Sequence, residues 1–397
     1  MDAPRAIETR PRGLTALLTT IGLYLGLGAI FLAGCILAPG FLTIGNQRDV
    51  FRGTADKGLI SLGMTFVILT AGIDLSVGRL IGLTSTIAAM LLMGRSWNGA
   101  SGAAVPAMAL GGLVVVGWGL RSAAGVLGVR RRLGALLSVV GGGAAAIGLA
   151  AWGAYQVPRG FGVTGVLVAV PMAGLLLGGL SGVIVAKGRL QPFIVTLAMM
   201  ISAYGLAKII AGEGGRVHSL YFGDGAQQAT PAFELLRYQI YGAVPVPALF
   251  FLGTALIGHV VLATQRFGRH VYAVGGNEEG ARLSGINVDG VKIAVYCISG
   301  LLAGLSGVLS CAQYRHGKPD IGEGAELDAI AAVVIGGTSL MGGRGRMSGT
   351  FVGVLIFQYL KNILYLRGYP SEVQLLLTGV IILLAVLLQE MHAQRWR

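Results

Sequence analysis

The sequence predicts an all-α, polytopic transmembrane bundle, and three observations predict it. Hydrophobic residues make up 54% of the chain and charged residues only 12%, about half the charged share of an ordinary soluble domain. The apolar residues come in runs close to the roughly 20 residues a helix needs to cross a bilayer, separated mostly by short loops. Glycine is abundant, at 66 residues, with small residues spaced by four or three as in Gly141, Ala145, Gly148 and Gly300, Gly304, Gly307. Such spacing lets helix backbones approach closely where lipid supplies no hydrophobic drive for association.

Taken in order, the runs place helices near 14–37, 55–72, 79–94, 103–120, 133–155, 161–186, 192–212, 243–264, 291–313, 327–342, 347–366 and 372–391, about twelve spans in all. The first follows a basic N-terminus, but it is too long for the apolar stretch of a signal peptide and ends without a small-residue cleavage site, so it reads as a spanning helix. The second ends in G-L-I-S-L-G-M-T-F-V-I-L-T and is followed by A-G-I-D-L-S-V-G, Ala71 to Gly78, which puts a carboxylate at a helix end or break. Residues 213–242 form a long mixed loop, large enough for a lid or docking surface and too small for a ligand-binding domain. Residues 265–290 form the second long loop. Its middle has an Asn cap at Asn277, two acids in the first turn at Glu278 and Glu279, and a glycine stop at Gly285, which suits a short helix lying flat outside the bilayer. Ala281 and Leu283 are expected to be its presented apolar residues.

The formal net charge of +13 raises the question of nucleic acid, but the basic residues are scattered through loops and no basic face with interleaved aromatics is seen. Membrane orientation explains them better. With the N-terminus inside, most of the 30 Lys and Arg residues fall in loops on that side, including Arg5, Arg10, Arg79, Arg130, Arg131, Arg132, Arg266, Arg269, Lys292, Arg395 and Arg397. Cytoplasmic loops carry such an excess, so both termini are expected in the cytoplasm. Cys35, Cys297 and Cys311 lack C-x-x-C spacing, and the five histidines lack ligand spacing, which points away from a metal site. His259 reads as a packing residue. G-G-T-S-L-M-G-G-R-G-R, Gly336 to Arg346, lacks the Lys and following hydroxyl residue of a nucleotide loop. No catalytic constellation, metal or cofactor is expected.

Asp74 has three readings. It caps backbone N–H groups at Ser76 or Val77 as the third helix starts, or it lines a solute path, as costly intramembrane carboxylates often do, or it pairs with a basic residue. G-I-D-L-S-V-G at 72–78 and G-T-S-L-M-G-G at 337–343 share the pattern G-x-[DS]-L-x-x-G after an apolar run. Such a repeat suits two related halves meeting near a pathway. Ser76, Phe193, Thr196, Gly337, Thr338 and Ser339 join Asp74 as pathway or helix-break candidates.

Four blocks carry a family resemblance: A-G-I-D-L-S-V-G at 71–78, G-V-I-V-A-K-G-R-L-Q-P-F-I-V-T-L at 182–197, V-G-G-N-E-E-G-A-R-L-S-G-I-N-V at 274–288 and E-L-D-A-I-A-A-V-V-I-G-G-T-S-L-M-G-G-R-G at 326–345. Together they resemble the permease subunits of bacterial ATP-binding-cassette importers for monosaccharides, the ribose and xylose type. The resemblance runs from about Phe41 to the C-terminus, with residues 95–160 as an apparent helix pair inserted into a ten-helix family core. It implies an inner-membrane, multi-pass chain working with a second permease copy, a cytoplasmic ATPase subunit and a periplasmic sugar-binding protein. It also implies that Asn277, Glu278, Glu279, Gly280, Ala281, Arg282, Leu283, Ser284 and Gly285 couple the permease to the ATPase. The competing readings are a stand-alone secondary transporter or channel, with Asp74, Asp328 and His259 as ion-binding candidates, or a permease of the same superfamily for nucleosides, branched-chain amino acids or an autoinducer.

Overall fold

The computed structural model describes residues 12–94, 99–126, 131–212, 214–221, 229 and 231–394. Arg5, Arg10, Arg130, Arg395 and Arg397 lie outside the described residues, as do 95–98 and 127–130 of the expected inserted pair and 213, 222–228 and 230 of the long loop.

Fourteen α-helices follow one another among the described residues: α1 (Arg12–Leu37), α2 (Ile44–Leu69), α3 (Val77–Met93), α4 (Gly99–Val126), α5 (Arg131–Gln156), α6 (Val163–Gly188), α7 (Pro192–Ala211), α8 (Val246–Thr264), α9 (Arg266–Gly276), α10 (Glu278–Leu283), α11 (Val288–Tyr314), α12 (Ala325–Ile335), α13 (Met347–Leu366) and α14 (Ser371–Gln394). Two-residue antiparallel pairs, His218–Ser219 with His316–Gly317 and Gln239–Ile240 with Val244–Pro245, pin the long loop between α7 and α8. Seven helices, α4 to α8, α11 and α13, are long and apolar enough to cross a membrane.

The remaining long elements differ from the sequence expectation for physical reasons. α2 starts at Ile44 rather than near 55, because its first half carries Arg48, Asp49, Arg52, Asp56 and Lys57 and so is invisible to an apolar-run reading. Polar groups of this half have partners elsewhere in the fold: Arg48 donates to Gln239 at 3.0 Å, Lys57 pairs with Asp328 at 2.9 Å, Asn46 and Asn362 exchange side-chain hydrogen bonds of 3.0 and 2.7 Å, and Tyr359 donates to Gln47 at 2.9 Å. α12 ends at Ile335 rather than near 342, because Gly337, Gly342 and Gly343 take left-handed φ values of 83°, 81° and 68° that no helix continues through. α9 is an additional helix within the loop that reads from sequence as holding only one.

The centre of the bundle is α11, packed along α6 and flanked by α2 and α3. Gly174 and Gly178 of α6 face Gly300 and Gly304 of α11 so closely that a Cβ on Gly178 would stand 2.9 Å from the Gly300 Cα. This backbone-to-backbone seam is what small residues permit where lipid gives helices no reason to collapse. Around it Leu59, Ile60, Leu62, Met64 and Tyr296 are fully buried. After α11 the chain turns at Arg315, φ 59°, and runs back beside α3, with Gly317 against Ser85 and Gly322 against Ile81, before α12 begins. α4 and α5 pack on one another, and α4 also packs on α6.

Candidate functional site

α2 stops at Leu69 because Ala71 adopts a left-handed φ of 61°, and the chain crosses to α3 in an irregular segment, Thr70 to Ser76. Asp74 sits fully buried in this break. One carboxyl oxygen accepts from the Ser76 backbone N–H at 3.1 Å and from the Ser76 hydroxyl at 2.6 Å. The other accepts from the Ser299 hydroxyl of α11 at 2.7 Å. The local half is a turn closed by the side chain two residues back, and the distant half ties the break to the core helix. Thr196 of α7 is also buried and donates to the Ile73 carbonyl at 3.1 Å. The break is therefore clamped between α7 and α11 by side-chain oxygens.

A second break, Gly336 to Arg346, follows α12 and meets the first. The Gly343 N–H donates to the Leu69 carbonyl at 3.0 Å, joining the two breaks by backbone alone. Within the turn the Ser339 N–H donates to the Arg344 carbonyl at 2.8 Å, and the Ser339 hydroxyl accepts from Met341 N–H at 3.3 Å. Thr338 is buried beneath it against Gly345. The third party is the end of α9. A Cβ on Gly275 would overlap the Leu69 carbonyl and stand 2.7 Å from the Gly343 nitrogen. The Tyr272 hydroxyl of α9 donates to the Gly345 carbonyl at 2.9 Å, and burial raises its pKa above the ordinary tyrosine value, keeping it a neutral donor. Asp74, Ser76 and Thr196 thus meet Gly337, Thr338 and Ser339 through one junction. Phe193 does not join them; it is 52% exposed on the first turn of α7.

α10 follows this junction directly. The Asn277 side chain accepts from the Gly280 N–H at 2.8 Å, and Gly285 leaves the helix with φ 80°. Ser284 donates its hydroxyl back to the Gly280 carbonyl at 2.8 Å. Ala281 is not presented outward as the sequence suggested: it is only 5% exposed and packs inward, whereas Leu283 projects at 83%. Six residues are too few for a hydrophobic period to reveal the inner face. Glu278 pairs with Lys292 at 2.7 Å and with Arg282 at 3.4 Å, and Arg282 also reaches Asp289. These exposed pairs add little stability, but they fix α10 to the start of α11.

Two of the three ion-binding candidates, Asp74 and Asp328, find protein partners instead. Asp328 of α12 receives the Lys361 ammonium at 2.6 and 2.7 Å and the Lys57 ammonium at 2.9 Å, while Asp74 is filled by hydroxyls. His259 is exposed on α8 rather than packed. Two features were missed by the sequence reading: α9, although Phe267, Val271 and Val274 recur at the helical spacing i, i+4, i+7, and Lys57, which only the fold brings to Asp328.

A family model described as the permease component of branched-chain amino acid transport systems matches residues 134–386. The chain is 36% identical over 351 residues to the ribose import permease protein RbsC of Escherichia coli (strain K12), covering 88% of this chain and 87% of that one. It is 35% identical over 376 residues to the RbsC protein of Bacillus subtilis (strain 168), covering 93% and 92%. The xylose transport system permease protein XylH of Escherichia coli (strain K12) is 34% identical over 369 residues, covering 87% and 85%. No solved structure matches the chain. The family match and these relatives, similar over nearly their whole lengths, show that the chain belongs to this family of transport permease components and is not an enzyme.

Proposed function

We propose that the chain is the membrane-spanning permease subunit of an ATP-driven monosaccharide importer of the ribose or xylose type, in a bacterial inner membrane with both termini cytoplasmic. Its partners are a second permease copy, a cytoplasmic ABC ATPase subunit and a periplasmic sugar-binding protein. The printed functions of the ribose and xylose relatives support the sugar class.

The contact of Gly275 with both helix breaks, next to the capped helix α10, is the observation that carries the mechanism. The ATPase docks on α10 through the projecting Leu283 and the exposed acid Glu279. Its closure on ATP pulls α10 and therefore α9, and the α9 end bears on Leu69 and Gly343 together. Interrupted helices are where transporters place movable backbone, so both breaks shift in step and the path alternates between its two openings. The sugar crosses without covalent change. Asp74 holds the first break to α11 throughout rather than carrying an ion.

Co-expression with the neighbouring ATPase subunit, followed by affinity capture of the permease, tests the docking. Wild type is expected to retain the ATPase and Leu283→Asp to lose it while still inserting in the membrane. Equal capture of the ATPase by both would remove α10 from the interface.

A further inference from the structure

A mixed charged cluster begins just past the first break, on the edge shared by α3, α7 and the segment that returns beside α3. The Arg79 guanidinium donates to Glu323 at 2.9 Å and lies 4.3 Å above the Tyr204 ring. The Tyr204 hydroxyl donates to Asp320 at 2.8 Å, and the Lys208 ammonium stands 4.4 Å from the same ring. Tyr204 sits on an apolar spanning helix, roughly 18 Å along the axis from one helix end and 10 Å from the other. The Glu323 side chain is nevertheless 67% exposed, and Lys208 is exposed as well. Charged groups at such depth face water or one another rather than lipid. Arg79 Nη1 and Glu326 Oε2 are buried and have no hydrogen-bond partner among the described residues, so the charges of the cluster are not fully satisfied from within.

The geometry points to a transit site for a neutral, polyhydroxylated solute, made by Arg79, Tyr204, Asp320 and Glu323 with Lys208 at its margin. This rests on the importer reading above. A hydroxyl both donates and accepts, so a solute rich in them can exchange with a set of carboxylates, a guanidinium and a phenol; an ion of either sign would meet a like charge. The internal pairs also keep the site weak, since an arriving hydroxyl must displace an existing bond. Conduction needs such weakness, because a solute that binds tightly does not leave.

The assay is uptake of radiolabelled ribose and xylose into proteoliposomes holding the permease, its ATPase and its sugar-binding protein. Tyr204→Phe, which removes only the hydroxyl, and Glu323→Gln are each expected to lower uptake about three- to tenfold, the value of one or two hydrogen bonds. Both are expected to copurify with the ATPase as wild type does, and Leu206→Ala, elsewhere on α7, is expected to leave uptake unchanged. Uptake by wild type that neither Tyr204→Phe nor Glu323→Gln alters would overturn the site while leaving the importer standing. Failure of wild type to take up either pentose overturns the sugar function and the site with it.

Discussion

Ser299→Ala removes one hydroxyl and leaves one oxygen of a fully buried carboxyl group without its donor. The hydrogen bond is short, 2.7 Å, and both residues are completely buried, so water cannot replace it. Bonds to charged groups contribute about 1.5–3 kcal/mol in soluble proteins, whereas side-chain bonds between membrane helices average about 0.6 and reach about 1.7 kcal/mol. The carboxyl acceptor and the burial place this one at the upper end of the membrane range. Ser299→Ala is therefore expected to cost about 1.7 kcal/mol. Asp74→Asn keeps an acceptor for Ser76 and is expected to cost about 1 kcal/mol. In a double-mutant cycle read by unfolding of the purified permease in mixed micelles, the pair should show a coupling of about 1.5 kcal/mol. A coupling below about 0.5 kcal/mol, within the error of additivity, would refute the clamp between the first break and α11.

Three more outcomes follow from the same contacts. Asp328→Leu leaves Lys57 and Lys361 facing one another in the bundle and should cost about 3 kcal/mol or more; adding Lys361→Met should recover part of the loss, and a failure to do so would show that Asp328 acts through other contacts. Gly275→Ala forces a methyl into the Leu69 carbonyl and should destabilise by about 1–3 kcal/mol and lower the yield of transport per ATP, both measurable on the reconstituted complex; an unchanged ratio would uncouple this junction from transport. Ala281→Trp should destabilise the permease itself, seen as a lower thermal midpoint without the ATPase present, because the residue packs inward; an unchanged midpoint would return Ala281 to the docking surface.

The membrane class was legible because lipid leaves a strong compositional trace: few charges, long apolar runs and spaced glycines. The first helix break was legible because A-G-I-D-L-S-V-G interrupts an apolar run with a polar, turn-favouring residue. The second was legible only in part: the repeat at 337–343 named Gly337, Thr338 and Ser339 as break candidates, but the helix was carried on to about 342, because hydropathy does not penalise the left-handed φ that Gly337 and Gly342 supply. The polar first half of α2 was missed for the converse reason, its partners being some 300 residues away in α13. Arg79 counted as a loop cation by its spacing after the break, yet the fold sets it over Tyr204. The inward face of Ala281 depended on how a six-residue helix lies against α9 and the start of α11, which no local pattern encodes.

The energy source of transport tests the account most directly. Proteoliposomes containing the permease, its ATPase and its sugar-binding protein should accumulate labelled ribose or xylose only with ATP on the ATPase side, and should continue to do so when ionophores collapse every ion gradient. Accumulation by the permease alone, driven by an imposed ion gradient and indifferent to ATP, would contradict it.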